Sequence, residues 1–187
     1  ALRRLFLMVF LRGRSARGMR KDTAPRSVAK KLAMTLVFYG LFGLFALSFI
    51  RQPTFSLALY LHGMTFVFLG MFVAASAGEL LFNKEEGDIL AHRPINARTL
   101  LWAKISVLVQ VSLWIAVAFN LGGFITGLLA PDGGARFLLA HAISTVMEAL
   151  FCAGFVVLTY QLCLRWFGRE RLDGLMTMAQ VTIAIFA

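Results

Sequence analysis

Residues 32–50 read LAMTLVFYGLFGLFALSFI, nineteen positions without a charge, closed by Arg51-Gln52-Pro53. Residues 54–78, TFSLALYLHGMTFVFLGMFVAASAG, follow at once with twenty-five more. A helix that crosses a bilayer needs about 20 mostly apolar residues. Proline lacks the N–H that the next turn would use and cannot continue a helix, so the two runs read as two spans joined by a tight turn. Working outward, a third span runs from about Ile105 to Leu129, Pro131-Asp132-Gly133-Gly134 reverses the chain, and a fourth covers about Phe137 to Leu164. The basic stretch Arg165 to Asp173 follows, and a fifth span starts near Gly174. The expected fold class is all-α, a polytopic helical membrane protein. The composition agrees, with 59% hydrophobic and 15% charged residues over 187 positions, against about 45–50% and about 25% in soluble domains. A water-soluble globular enzyme is excluded.

The charge of +10, from 19 Lys plus Arg against nine Asp plus Glu, would point to nucleic acid in a soluble protein. Its distribution points to lipid instead. Ten basic residues (Arg3, Arg4, Arg12, Arg14, Arg17, Arg20, Lys21, Arg26, Lys30, Lys31) precede the first span, mixed with Leu5, Phe6, Met8, Val9 and Phe10. This composition predicts a basic amphipathic interfacial helix over residues 1–31, lying in the plane of anionic headgroups, ahead of a transmembrane domain over residues 32–187. Leu5 to Leu11 has the length of a signal-peptide apolar region, but Arg12-Gly13-Arg14 follows it without a small-residue cleavage site. Cytoplasmic segments carry the Lys and Arg excess. With the N-terminus inside, they hold 17 such residues, and the outer loops hold Arg51 and Arg136 alone. The expectation is a cell-membrane protein, in a bacterial inner membrane, with its N-terminus cytoplasmic and two tight hairpins.

Cys152 and Cys163 lie eleven residues apart in one apolar run, hence about 16 Å along a helix, too far for a mutual disulfide. They read as packing residues. Ionisable groups at membrane depth are a functional hypothesis by default. Counted from the outer end at about 1.5 Å per residue, His62, Asn120 and Glu148 lie at about 12, 14 and 16 Å and can meet as one polar layer, a candidate substrate path at a subunit interface. His141, nearer the outer surface, reads as structural. His92 has no second ligand beside it, so no metal site is expected. Gly123-Phe124-Ile125-Thr126-Gly127 is a G-x-x-x-G, a pattern of close helix packing or a homodimer seam.

The polar stretch between spans two and three carries the most information. In Leu80-Leu81-Phe82-Asn83-Lys84-Glu85-Glu86-Gly87-Asp88-Ile89-Leu90-Ala91-His92-Arg93-Pro94-Ile95, the acids Glu85, Glu86 and Asp88 suit the positive end of a short helix and Pro94 ends it. It continues as Asn96-Ala97-Arg98-Thr99-Leu100-Leu101-Trp102-Ala103-Lys104, where Trp102 and Lys104 have the chemistry of interface anchors. This loop resembles that of the membrane subunits of type 2 ATP-binding cassette (ABC) exporters, through Asp88, Ile89, Leu90, Pro94, Arg98, Leu100, Leu101 and Lys104. The resemblance implies a permease subunit whose coupling helix (Glu85, Glu86, Asp88, Ile89, Leu90, Arg93, Pro94) docks into a separate nucleotide-binding subunit. It also implies a dimer with a second permease copy or homologue. That family has six or more spans, so a longer polypeptide is expected.

The chain holds no G-x-x-x-x-G-K-[ST], the motif that cradles ATP phosphates. The permease is expected not to be an enzyme or to hold a cofactor, with ATP and Mg bound by the partner subunit. Its other partners are membrane lipids, and no nucleic acid. Two alternatives compete. An intramembrane hydrolase is suggested by Glu85-Glu86 and the three His, although Arg93 stands at the wrong spacing from the acids. A non-catalytic membrane scaffold would work through its basic N-terminal helix.

Overall fold

A computed structural model describes residues 3, 6, 7, 28–81 and 96–186. Among the described residues the elements are α1 (Val28–Gly43), continued by a 3-10 segment (Leu44–Phe49), α2 (Thr54–Leu81), α3 (Ala97–Leu129) and α4 (Ala135–Phe186). Among the described residues, four stretches are long and apolar enough to cross a membrane: Leu32–Phe49, Thr54–Ala74, Arg98–Leu129 and Ala135–Trp166. The proline turns fall where the sequence places them, one between the 3-10 segment and α2, the other between α3 and α4.

Helix α3 is the centre of the bundle, packed against α1, the 3-10 segment, α2 and α4. It buries 39% of its spanning window, against 11% for the first span. Buried positions recur every fourth residue on α2, at Leu57, Leu61, Thr65, Leu69 and Val73, the stripe expected of one helix face. Leu69 and Val73 meet Val107, Leu108, Val111 and Ile115 of α3 and Ala149, Cys152 and Val156 of α4, while Leu57 and Leu61 pack with Ala46. Both cysteines are free, Cys152 in this core and Cys163 half-buried.

Where α1 crosses α3, a Cβ on Gly43 would sit 1.9 Å from the Phe119 carbonyl oxygen, and one on Gly122 would sit 2.3 Å from that of Gly43. Backbone meets backbone here, and only glycine leaves room. The G-x-x-x-G glycines are also consumed internally. Gly123 faces Leu61 and Gly127 faces the Phe137 ring, so the pattern serves packing within the chain, not a homodimer seam.

The structure places the helix ends more finely than the apolar runs do. Helix α3 begins at Ala97, not at the apolar run, because the Asn96 side chain accepts the Arg98 amide at 2.9 Å and caps the helix; the sequence up to Lys104 then lacks any breaker. Helix α4 runs past Leu164 only as far as Gly168, whose φ of 73° and ψ of 172° interrupt it inside the basic stretch, and a second helical arm follows to Phe186. In the N-terminal segment, Phe6 is buried in the cluster that holds Leu69, Val73, Val107, Leu108 and Val111. Apart from Arg3, Phe6 and Leu7, residues 1–27 lie outside the described residues, as does 82–95.

The turns are tied to each other. Asp132 accepts the Thr54 amide at 3.0 Å and the Thr54 hydroxyl at 3.1 Å, placing a carboxylate on the positive N-terminus of α2. The Thr54 amide, with its hydroxyl, holds the Asp132 carboxyl below its ordinary value of 3.8. A lowered folded pKa stabilises the fold above the unfolded value, and that contribution is lost as pH falls through the folded one. Asp132→Ala is therefore expected to lower the melting temperature in detergent near neutral pH, with the difference from wild type vanishing in strong acid. Gly122→Val is expected to cost about 1–3 kcal/mol or more through overpacking, read as a lower midpoint in helix circular dichroism.

Candidate functional site

Helix α4 presents His141, Ser144, Thr145 and Glu148 at intervals of three and four, which puts them on one face. Opposite them on α2 stands His62. Ser144 and Thr145 satisfy their hydroxyls on the His141 carbonyl, at 3.0 and 2.7 Å. The His62 Nδ1 lies 2.7 Å from Glu148 Oε2, and its Nε2 lies 3.0 Å from Ser144 Oγ. A carboxylate, an imidazole and a hydroxyl thus form one chain across the α2/α4 seam. The His62 side chain is 31% exposed and that of Glu148 11%, so the pair opens on the side of the bundle while its hydrogen bonds run inward.

Two of the three residues of the expected polar layer meet, and the third does not. Asn120 is fully buried on α3 and donates its amide to Thr65 Oγ1 at 3.0 Å and to the Ala116 carbonyl at 2.8 Å. The layer is therefore two clusters: His62–Glu148–Ser144 at the α2/α4 seam, and Asn120–Thr65 at the α2/α3 seam. Axial depth alone predicts which residues share a level, and rotation about each helix decides which of them touch.

His141, read from the sequence as structural, is packed among rings. It is 2% exposed, stacked on Phe137 at 5.3 Å and edge-on to Phe124 and His62 at 5.0 and 5.1 Å. Both its ring nitrogens are buried without a hydrogen-bond partner. Ser144 and Thr65 escaped the sequence reading. The signal for Ser144 was present in its spacing, three residues after His141 and four before Glu148, but serine is common in apolar spans and often bonds only its own helix.

At the other end of the bundle, Trp102 is 58% exposed and faces outward. Lys104 turns inward: it is 5% exposed, with its ammonium 5.5 Å from the centre of the Phe6 ring, a cation–π distance. Lys104, expected as an interface anchor, thus touches the N-terminal segment through Phe6. Tyr160 of α4 donates to the Ala74 carbonyl of α2 at 2.9 Å, a second tie across the seam that holds the pair. Glu85, Glu86, Asp88, Ile89, Leu90, Arg93 and Pro94 lie outside the described residues. Among the described residues, no group of three His, Cys, Asp or Glu is placed to hold a metal ion.

No protein family, curated protein or solved structure matches the chain.

The seam predicts a specific energetic signature. In a double-mutant cycle of His62→Ala and Glu148→Ala, measured by reversible unfolding in mixed micelles, the coupling is expected at about 1 kcal/mol, within the range for interhelical polar pairs. Asn120→Ala should be additive with Glu148→Ala, because the two clusters share no hydrogen bond.

Proposed function

We propose that this chain is the membrane permease subunit of an ABC exporter, and that it couples ATP hydrolysis in a separate nucleotide-binding subunit to export of a substrate across the membrane. The observation that carries this reading is the loop sequence from Asp88 to Lys104, with its acid, apolar pair, Pro94, Arg98, Leu100-Leu101 and Lys104. The bundle offers a compatible frame. Helices α2 and α3 flank that loop, while the short turns at residues 50–54 and 130–134 occupy the opposite end.

In this reading the basic N-terminal segment and the loop are cytoplasmic, in keeping with 17 of the 19 Lys and Arg falling on that side. The partner binds ATP and Mg, and Glu85, Glu86, Asp88, Ile89, Leu90, Arg93 and Pro94 form the surface on which it docks. A second permease copy or homologue completes the pathway. The partly exposed His62–Glu148 pair would face that pathway, since an ionisable pair left against hydrocarbon carries a cost of about 3 kcal/mol or more. Lys104 and Phe6 then link the N-terminal segment to the base of α3, so that movement of the loop is transmitted into the central helix.

The test is a mild-detergent pull-down of the tagged full-length protein with an ATP hydrolysis assay. Recovery of a soluble Walker-motif protein is expected. Reversing the charge of Glu85, Glu86 and Asp88 together should leave membrane insertion intact and weaken that association about tenfold or more, equivalent to about 1.4 kcal/mol. Retention of partner and ATPase activity after the reversal would refute the coupling assignment.

A further inference from the structure

The His62–Glu148 seam can complete its hydrogen bonds in two ways that differ by one proton. In the first, His62 Nδ1–H donates to the Glu148 carboxylate at 2.7 Å and bare Nε2 accepts the Ser144 hydroxyl at 3.0 Å; the pair carries one negative charge. In the second, Nε2 bears a proton and donates to Ser144 Oγ, whose own hydrogen turns to the His141 carbonyl, also at 3.0 Å. One proton then remains between Nδ1 and Oε2, and the pair is neutral whichever atom holds it. A serine hydroxyl has a single hydrogen, so it serves Nε2 or the carbonyl. Its two acceptors lie at equal distance.

We propose that His62, Glu148 and Ser144 form an intramembrane proton-binding site that takes up one proton from water, with the Ser144 hydroxyl turning from His62 Nε2 to the His141 carbonyl as the site loads. The incoming proton forms the Nε2–H bond, the original Nδ1 proton stays between Nδ1 and Oε2, and no other bond is made or broken. His62, the more exposed of the two ionisable partners at 31%, is the point of entry.

The surroundings leave this pair in control of its own charge. Beside it on α4 lie His141, whose ring is edge-on to that of His62 at 5.1 Å, and Cys152, next to Glu148. No Lys, Arg or Asp occurs at 54–78, 105–129 or 137–164, and Glu148 is the sole acid in those stretches. His141, caged by Phe124 and Phe137, holds in place the carbonyl to which Ser144 turns. The site stands on this geometry and does not depend on the chain being an exporter subunit.

Nitrogen NMR of the full chain, labelled with 15N-histidine and reconstituted in lipid nanodiscs, reads the site directly, with His62→Gln assigning the signal. As pH is lowered from about 9 to about 5, spanning the ordinary histidine range, His62 should pass in one step from an Nδ1–H tautomer with bare Nε2 to an Nε2-protonated form. Ser144→Ala removes the switch and should move the midpoint by about one pH unit, a tenfold change in proton affinity. Glu148→Gln removes the carboxylate that accepts from Nδ1 and should abolish the preference of the neutral ring for the Nδ1–H tautomer. Should Glu148→Gln fail to fold, Glu148→Asp keeps the carboxylate and should retain the one-step transition. A His62 tautomer that stays the same at every pH would overturn the proposal, as would a midpoint unmoved by Ser144→Ala.

Discussion

Every polar group in a span of this kind has to find its partner inside the protein, because hydrocarbon offers none. The backbone meets that demand by being helical throughout the four spans. The side chains meet it with the same carbonyls: Ser112 on Leu108, Thr126 on Gly122, Thr145 on His141 and Thr159 on Phe155, each reaching back one turn. What is left over is short and informative. Glu148 and His62 find each other and Asn120 reaches across to Thr65, while Asn120 Oδ1, Gln110 Oε1 and both His141 nitrogens are buried without a hydrogen-bond partner. The bundle's arrangement is largely the geometry that lets these few groups meet while leucine, valine and phenylalanine fill the remainder.

The glycine crossing sets the scale of that arrangement. With Gly43 and Gly122 in backbone contact, α1 sits close against α3, and α3 is held where it also reaches α2 and α4. Phe6 wedges in from the other end, beside Lys104. An apolar bundle packed from both ends by fixed backbone contacts and one aromatic wedge has few ways to slide, which is why two polar seams keep distances of 3.0 Å or less.

Much of the fold was legible because the signals were strong and local. Long uncharged runs and the turns at Pro53 and Pro131 give four helices and two hairpins with little ambiguity. The helix ends were less so. The start of α3 depends on a single cap at Asn96, and the passage of α4 through Arg165 and Trp166 depends on the absence of a breaker until Gly168. At the site, the His62–Glu148 pairing followed from depth, but Asn120 was misassigned because its rotation about α3 turns it toward Thr65. The contact of Lys104 with Phe6, 98 residues earlier, was not legible for a similar reason: no local pattern reveals which distant ring lies beside a lysine.

Gly168 has a consequence for the rest of α4. A backbone with φ of 73° and ψ of 172° occupies a region open essentially to glycine alone, and it resets the angular phase by which successive side chains progress around a helix. The face that carries His141, Thr145, Glu148 and Cys152 therefore does not extend into the residues that follow, whatever their sequence. The seam and the far arm are decoupled in register: substitutions, insertions or a bound neighbour beyond Gly168 can rotate that arm without turning Glu148 away from His62, provided the glycine itself is kept.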